Sequence, residues 1–187
     1  MSTATVKPSH SKALDMAYIA LTAALIALCS WITLPIGPVP FTMQTFAIFT
    51  SLGLLGGRRG TVAVVVYLLL GLVGLPVFAG FHSGPAALMG PTGGYLLGFL
   101  ASALCYWAVT ARLGTSTKVL LPTMILALAL CYAFGTLWFL QVYTGGGQAG
   151  TLLGALGLCV FPYLLPDLAK IALALVVTRR VGKHLAK

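Results

Sequence analysis

The sequence predicts an all-α integral membrane protein: a bundle of six transmembrane helices, both termini cytoplasmic, with a short extra segment before the last helix. Three observations carry this. Only 7% of the 187 residues are charged and the mean hydropathy is +1.03, whereas a water-facing surface needs roughly 25% charged residues. The charged residues leave three long gaps. Each gap also contains a cluster of turn-forming residues.

The gaps run from Asp15 to Arg58, from Arg59 to Arg112 and from Lys118 to Asp167, each more than forty residues long. One crossing needs about 20 apolar residues, so each gap holds two crossings and a reversal. The reversals fall at Leu34-Pro-Ile-Gly-Pro-Val-Pro40, Gly80-Phe-His-Ser-Gly-Pro85 and Thr144-Gly-Gly-Gly147, where Pro and Gly break regular structure. Three helical hairpins follow, within one membrane domain over 13–187 behind a polar cytoplasmic tail, 1–12.

In order, helix 1 is expected over about 14–34 and helix 2 over about 41–56. Helix 3 covers about 60–78, helix 4 about 92–112, helix 5 about 119–143, and helix 6 ends near Arg180. The first apolar run is long enough to span and lacks a small-residue cleavage site, so it reads as an uncleaved helix rather than a signal peptide. The valine-rich run Val62 to Val66 does not alternate, and lipid-embedded strands must close into alternating barrels. Pro162 and Pro166 suggest a last helix starting near Pro166, because Pro is tolerated in a first turn. The segment from Thr151 to Phe161 is then separate.

Ten of the eleven Lys and Arg residues lie at the N-terminus, at Arg58/Arg59, at Arg112/Lys118 and at the C-terminus, and none at the three reversals. An even number of crossings puts these four places on one side, which the positive-inside rule makes cytoplasmic. The net charge of +9 is therefore a topology signal with an attraction to anionic membrane lipid. Nucleic acid would need a basic face, and no nucleic-acid partner is expected. Trp31, Trp107, Trp138 and Tyr143 lie near helix ends and read as interface belts.

The eleventh basic residue is Lys170, in Pro166-Asp-Leu-Ala-Lys-Ile171, one of two places in the chain that hold an acid. Asp167 and Lys170 are three apart and share a helix face. A charge at membrane depth costs about 2.5–3.5 kcal/mol on the insertion scale, and such residues default to function. With the helix starting near Pro166, Asp167 would sit in its first turn, where the helix dipole favours an anion. Two readings stay open: an ion pair that fixes the last helix, or a recognition element in an apolar cavity. Gln44, His82, Ser83, Thr92 and Tyr95 are the other polar side chains expected at that end. In Pro91-Thr-Gly-Gly-Tyr95 the glycines allow close backbone approach, either to a ligand or to another helix.

No metal site or cofactor is expected: Cys29, Cys105, Cys131 and Cys159 all lie in apolar stretches without CxxC spacing. Gly145 to Thr151 lacks the lysine of a phosphate-binding loop. Two carboxylates in the whole chain argue against a proton relay, so any work done across the membrane would need a partner. On helix 1, Ala17, Ala20, Ala23, Ala24 and Ala27 form a small-residue stripe with two A-x-x-x-A spacings, Ala20/Ala24 and Ala23/Ala27. Such stripes let helices approach closely, in this bundle or across to a partner.

Four motifs in order, Pro38-Val-Pro-Phe-Thr-Met-Gln-Thr45, Gly74-Leu-Pro-Val-Phe-Ala-Gly80, Gly90-Pro-Thr-Gly-Gly-Tyr-Leu-Leu-Gly-Phe99 and Phe161-Pro-Tyr-Leu-Leu-Pro-Asp-Leu-Ala-Lys170, resemble the BioY family. The resemblance covers nearly the whole chain after the N-terminal tail. It implies a biotin-specific capture subunit of an energy-coupling-factor transporter in the bacterial cytoplasmic (inner) membrane, not an enzyme. The implied partners are a transmembrane coupling protein, met through Ala20/Ala24 or Ala23/Ala27, and two ATPase subunits. Biotin contacts are implied for Asp167 and Lys170 and for Gly93, Gly94 and Tyr95. Here Leu165-Pro166 precede the acid, where the family's usual form has glycine. Biotin's ureido N–H groups suit an Asp acceptor, its carbonyl or carboxylate suits a Lys, and Phe41, Phe78 and Phe81 would cover its rings. The rival readings are capture of another vitamin, and a membrane enzyme or assembly factor with a structural Asp–Lys pair. A closing lid over Pro35 to Pro40 is a further expectation.

Overall fold

The computed structural model describes residues 12–143 and 151–185. The tail before Lys12, the expected reversal at Thr144–Gly147 and the glycine-rich stretch from Gly145 to Gly150 lie outside the described residues.

Seven helices are present among them: α1 Lys12–Trp31, α2 Gln44–Leu72, α3 Gly84–Met89, α4 Gly93–Leu113, α5 Thr117–Val142, α6 Leu152–Cys159 and α7 Phe161–Leu185. Five (α1, α2, α4, α5 and α7) are long and apolar enough to cross a membrane. α1 packs on α2, α2 on both α4 and α7, and α4 most extensively on α5. The shared core includes Ile26, Ile48, Leu52, Tyr67, Met124, Phe139 and Ile171.

The expected helices 2 and 3 are the two arms of α2, which part at Gly56, where φ is 78 and ψ is 166. A straight helix would hold Gln44 and Tyr67 about 35 Å apart, at 1.5 Å per residue. Instead Gln44 Nε2 donates to the Tyr67 hydroxyl at 2.6 Å. The chain doubles back at Gly56, and the two arms lie side by side. Close packing at the base of the turn comes from Gly60, where a Cβ would stand 2.8 Å from the Leu52 Cα.

Helix 1 ends earlier than expected, because Thr33 and Leu34 pair with Thr42 and Phe41 in a two-residue antiparallel ladder. Phe41 therefore lies in a strand (β2, Phe41–Thr42, facing β1, Thr33–Leu34) rather than opening a helix. Pro35, Pro38 and Pro40 in the loop between them lack the N–H that a helix would need. The second reversal is more ordered than a plain turn. It holds a 3-10 turn, Ala79–Phe81, then α3, with Pro85 in the α3 first turn.

The last helix begins at Phe161, not near Pro166. Pro162 occupies the first turn, where a missing N–H costs nothing, and Pro166 is accommodated inside the helix. Asp167 is thus beyond the first turn, out of range of most of the helix-dipole effect. The expected short segment is α6, separated from α7 by Val160 alone (φ −125, ψ −56).

Candidate functional site

One end of the bundle encloses a cavity of about 550 Å³ with a predominantly apolar lining. Its walls come from every part of that end. The β1–β2 hairpin contributes Val39 and Phe41, and the segment after α2 contributes Phe78, His82 and Ser83. Tyr95, Leu96 and Phe99 come from α4, Tyr132 from α5, and Tyr163, Asp167 and Lys170 from α7.

Asp167 and Lys170 face this cavity while each is only 5% exposed. Lys170 Nζ donates to Asp167 Oδ1 at 2.7 Å and to the Thr42 carbonyl at 2.6 Å. It also stands 3.6 Å from the centre of the Phe41 ring, a cation–π contact that helps to replace lost hydration. Asp167 Oδ1 accepts from Thr45 Oγ1 at 3.0 Å and Oδ2 from the Tyr132 hydroxyl at 2.6 Å. Four elements (β2, α2, α5 and α7) converge on one ion pair. Its stabilisation comes from these charge-assisted bonds rather than from the start of a helix.

The ion pair keeps unused hydrogen-bonding capacity. An ammonium has three donors, and two are used; a carboxylate offers about four lone-pair positions, and three are filled. One N–H and one acceptor position remain without a hydrogen-bond partner, on an ion pair that borders an apolar space. That arrangement matches a small neutral group carrying both a donor and an acceptor.

Gln44, only 4% exposed, lines the cavity and is tied on both sides. Its Oε1 accepts from Thr42 Oγ1 at 2.9 Å, and its Nε2 is engaged by Tyr67. Tyr95 lies against Thr136 Oγ1 at 3.4 Å. Phe41 stacks on Tyr163 with ring centres 6.1 Å apart, and the Tyr163 hydroxyl donates to the Val39 carbonyl at 2.6 Å, which pins the Pro35–Pro40 loop to α7. His82 lines the cavity, with Nδ1 2.7 Å from the Ala79 carbonyl.

Three of the sequence-derived residues lie elsewhere. Phe81 is exposed and stacks on Trp31 at 5.1 Å. Gly93 and Gly94 are buried in α4 but do not line the cavity. A Cβ on Gly93 would run into the Leu88 carbonyl, and one on Gly94 into Trp138 Cβ and the Phe134 carbonyl. Both close approaches are to protein, and Gly94 is where α4 meets α5.

Conversely, Thr42, Thr45, Tyr132 and Tyr163 hold the pair and its surroundings without having been singled out. Thr42, Thr45 and Tyr163 stand inside two of the motifs quoted above. Tyr132 has no such signal beyond being a hydroxyl in the apolar run of α5, and its partner is 35 residues away. Of the cysteines, Cys131 and Cys159 are buried and line the cavity. The two small-residue spacings on α1 separate cleanly: Ala23 and Ala27 are buried in the bundle, while Ala20 and Ala24 are exposed.

The sequence profile of the BioY family matches residues 2–187. The biotin transporter BioY of Thermotoga maritima is 39% identical over 160 residues, covering 86% of this chain and 90% of the relative. A probable biotin transporter BioY of Pyrococcus horikoshii is 35% identical over 170 residues, covering 91% and 97%. Among solved structures, the S-component for biotin from an ECF-type ABC transporter superposes with a TM-score of 0.83 at 29% identity, over 95% of each chain.

Proposed function

The chain belongs to the BioY family, and on that premise we propose that it captures biotin as the substrate-specific subunit of an energy-coupling-factor transporter. It is a transport subunit and not an enzyme. The observation that carries the reading is the buried Asp167–Lys170 pair, opening onto an apolar cavity of about 550 Å³, within the ~300–1,000 Å³ usual for small-molecule sites. Biotin's ureido group sets an N–H beside a strongly accepting carbonyl. The N–H meets the remaining acceptor position of Asp167, and the carbonyl meets the remaining N–H of Lys170. Phe41, Phe78 and Tyr163 cover the fused rings, and Gln44, His82 and Tyr95 complete the polar lining. Isothermal calorimetry on the detergent-purified protein tests this. Tight, saturable biotin binding is expected, and its absence from well-folded protein would reject the assignment.

In the membrane, the two arms of α2 are counted as separate crossings, giving six in all with α1, α4, α5 and α7. The basic clusters then share the cytoplasmic side of the inner membrane. The Pro35–Pro40 loop closes over the outer mouth as a lid. Energy comes from a coupling protein and two ATPase subunits, met through the exposed Ala20/Ala24 face of α1, where small side chains permit close helix contact. Ala24→Leu is expected to abolish co-purification with the coupling protein while leaving biotin binding intact. Undiminished co-purification would move the interface off this face.

A further inference from the structure

We propose that the opposite, basic end of the bundle carries a second ligand site: a pocket for the phosphate group of an anionic phospholipid. This pocket, about 360 Å³, lies between the Gly56 turn of α2 and the last turns of α4 and shares no residue with the biotin cavity. Arg58 and Arg59 form one wall, and Trp107, Thr110 and Thr115 the other. The walls meet at Gly57, where a Cβ would stand 2.6 Å from the Trp107 Cα.

The charge balance of the pocket is positive. Arg59 is paired with Asp15 at 2.9 Å, and Asp15 and Asp167 are the only acids in the chain. Arg58 is exposed and has no acid partner among the described residues. Arg179 reaches the Thr115 rim, donating from Nη2 to the Thr115 carbonyl at 3.0 Å, and its Nε is buried without a hydrogen-bond partner. Arg112 lies in the last turn of α4. An anion entering here meets surplus positive charge and an indole at its side.

The neighbouring surface favours a lipid over free phosphate. Leu97, Leu104 and Trp107 are exposed on α4, and their spacings of seven and three put them on one helix face. That apolar stripe rises about 15 Å, at 1.5 Å per residue, and ends at the pocket. A phospholipid can lay its chains along the stripe with its phosphate between the arginines. Free phosphate would use only the basic wall. Basic pockets between helices at a membrane surface are the recognised form of anionic headgroup sites.

The test is retention of phosphatidylglycerol against phosphatidylcholine of the same chain length by the intact purified protein. Native mass spectrometry and thermal unfolding in mixed micelles provide the readouts. Phosphatidylglycerol should be retained preferentially and stabilise the protein. Arg58→Gln should lower that preference roughly fivefold, the equivalent of about 1 kcal/mol for one basic residue at an anionic surface. Arg58→Lys should keep most of it, and Lys183→Gln, at the same end but outside the pocket, should keep all of it. Equal losses in Arg58→Gln and Lys183→Gln would reduce the effect to diffuse charge and overturn the site. Stabilisation by inorganic phosphate that matches phosphatidylglycerol would overturn the lipid assignment.

Discussion

Asp167→Asn and Lys170→Ala should each abolish tight biotin binding, and each should also destabilise the protein. Removing one partner of a buried pair leaves the other charge uncompensated, at a cost of roughly 3–5 kcal/mol. Lys170→Ala leaves a carboxylate held by Thr45 and Tyr132 alone. Asp167→Asn leaves an ammonium with one carbonyl and one aromatic face as its strong partners. Loss of binding could then follow trivially from loss of fold. The double variant Asp167→Asn/Lys170→Met separates the two effects, because it keeps similar volumes and leaves neither charge buried without its partner. Thermal unfolding should return close to the native temperature while calorimetry still detects no biotin. Within the same series, Tyr132→Phe removes one bond to a charged acceptor, worth about 1.5–3 kcal/mol, and should weaken binding without abolishing it. Native-like biotin affinity in the double variant would return the pair to a purely structural role.

Gly94→Ala should be among the most destabilising single-methyl changes available in this chain. The added carbon would meet Trp138 Cβ and the Phe134 carbonyl. Almost any residue at 138 has a Cβ, and every residue at 134 has a carbonyl, so no change of side chain at those positions removes both contacts. Only separation of α4 from α5 does, and forced overpacking costs about 1–3 kcal/mol. Gly157→Ala is the matched control: nothing lies within 4 Å of its added methyl, and Ala is preferred to Gly in a helix. Unfolding temperatures measured without biotin should fall for Gly94→Ala and hold or rise for Gly157→Ala. If Gly94→Ala unfolds like the native protein but loses biotin, the glycine serves the ligand directly.

How much of this was legible in the sequence depends on how local the cause was. The membrane class followed from charge spacing, because lipid imposes its demand residue by residue. Asp167 and Lys170 stood out for the same reason. The parting of helices 2 and 3 at Gly56 was legible, because Arg58 and Arg59 mark a boundary there; that one glycine at positive φ makes the whole reversal was not. The start of α7 lies five residues before the one expected, because Pro162 and Pro166 each qualify as a first-turn residue and the pattern alone does not choose between them. Tyr132 was out of reach altogether. Its meaning lies in an oxygen contributed by α7, and nothing in the apolar run of α5 announces that neighbour. For the glycines, close approach was foreseen, while the identity of the approaching group required the α4–α5 contact.

The fold-back at Gly56 makes chain length a structural variable in its own right. An added or deleted residue there would turn the following arm by about 100°, the angular step of an α-helix at 3.6 residues per turn. Tyr67 would swing away from Gln44, whose hydrogen bond ties the two arms together. Gln44 in turn holds Thr42, and Thr42 gives its carbonyl to Lys170. The register of a turn at the basic end is thus transmitted to the ligand cavity at the other. A tag or fluorophore inserted between 55 and 58 would disturb capture even though it lies at the far end of the bundle from the cavity.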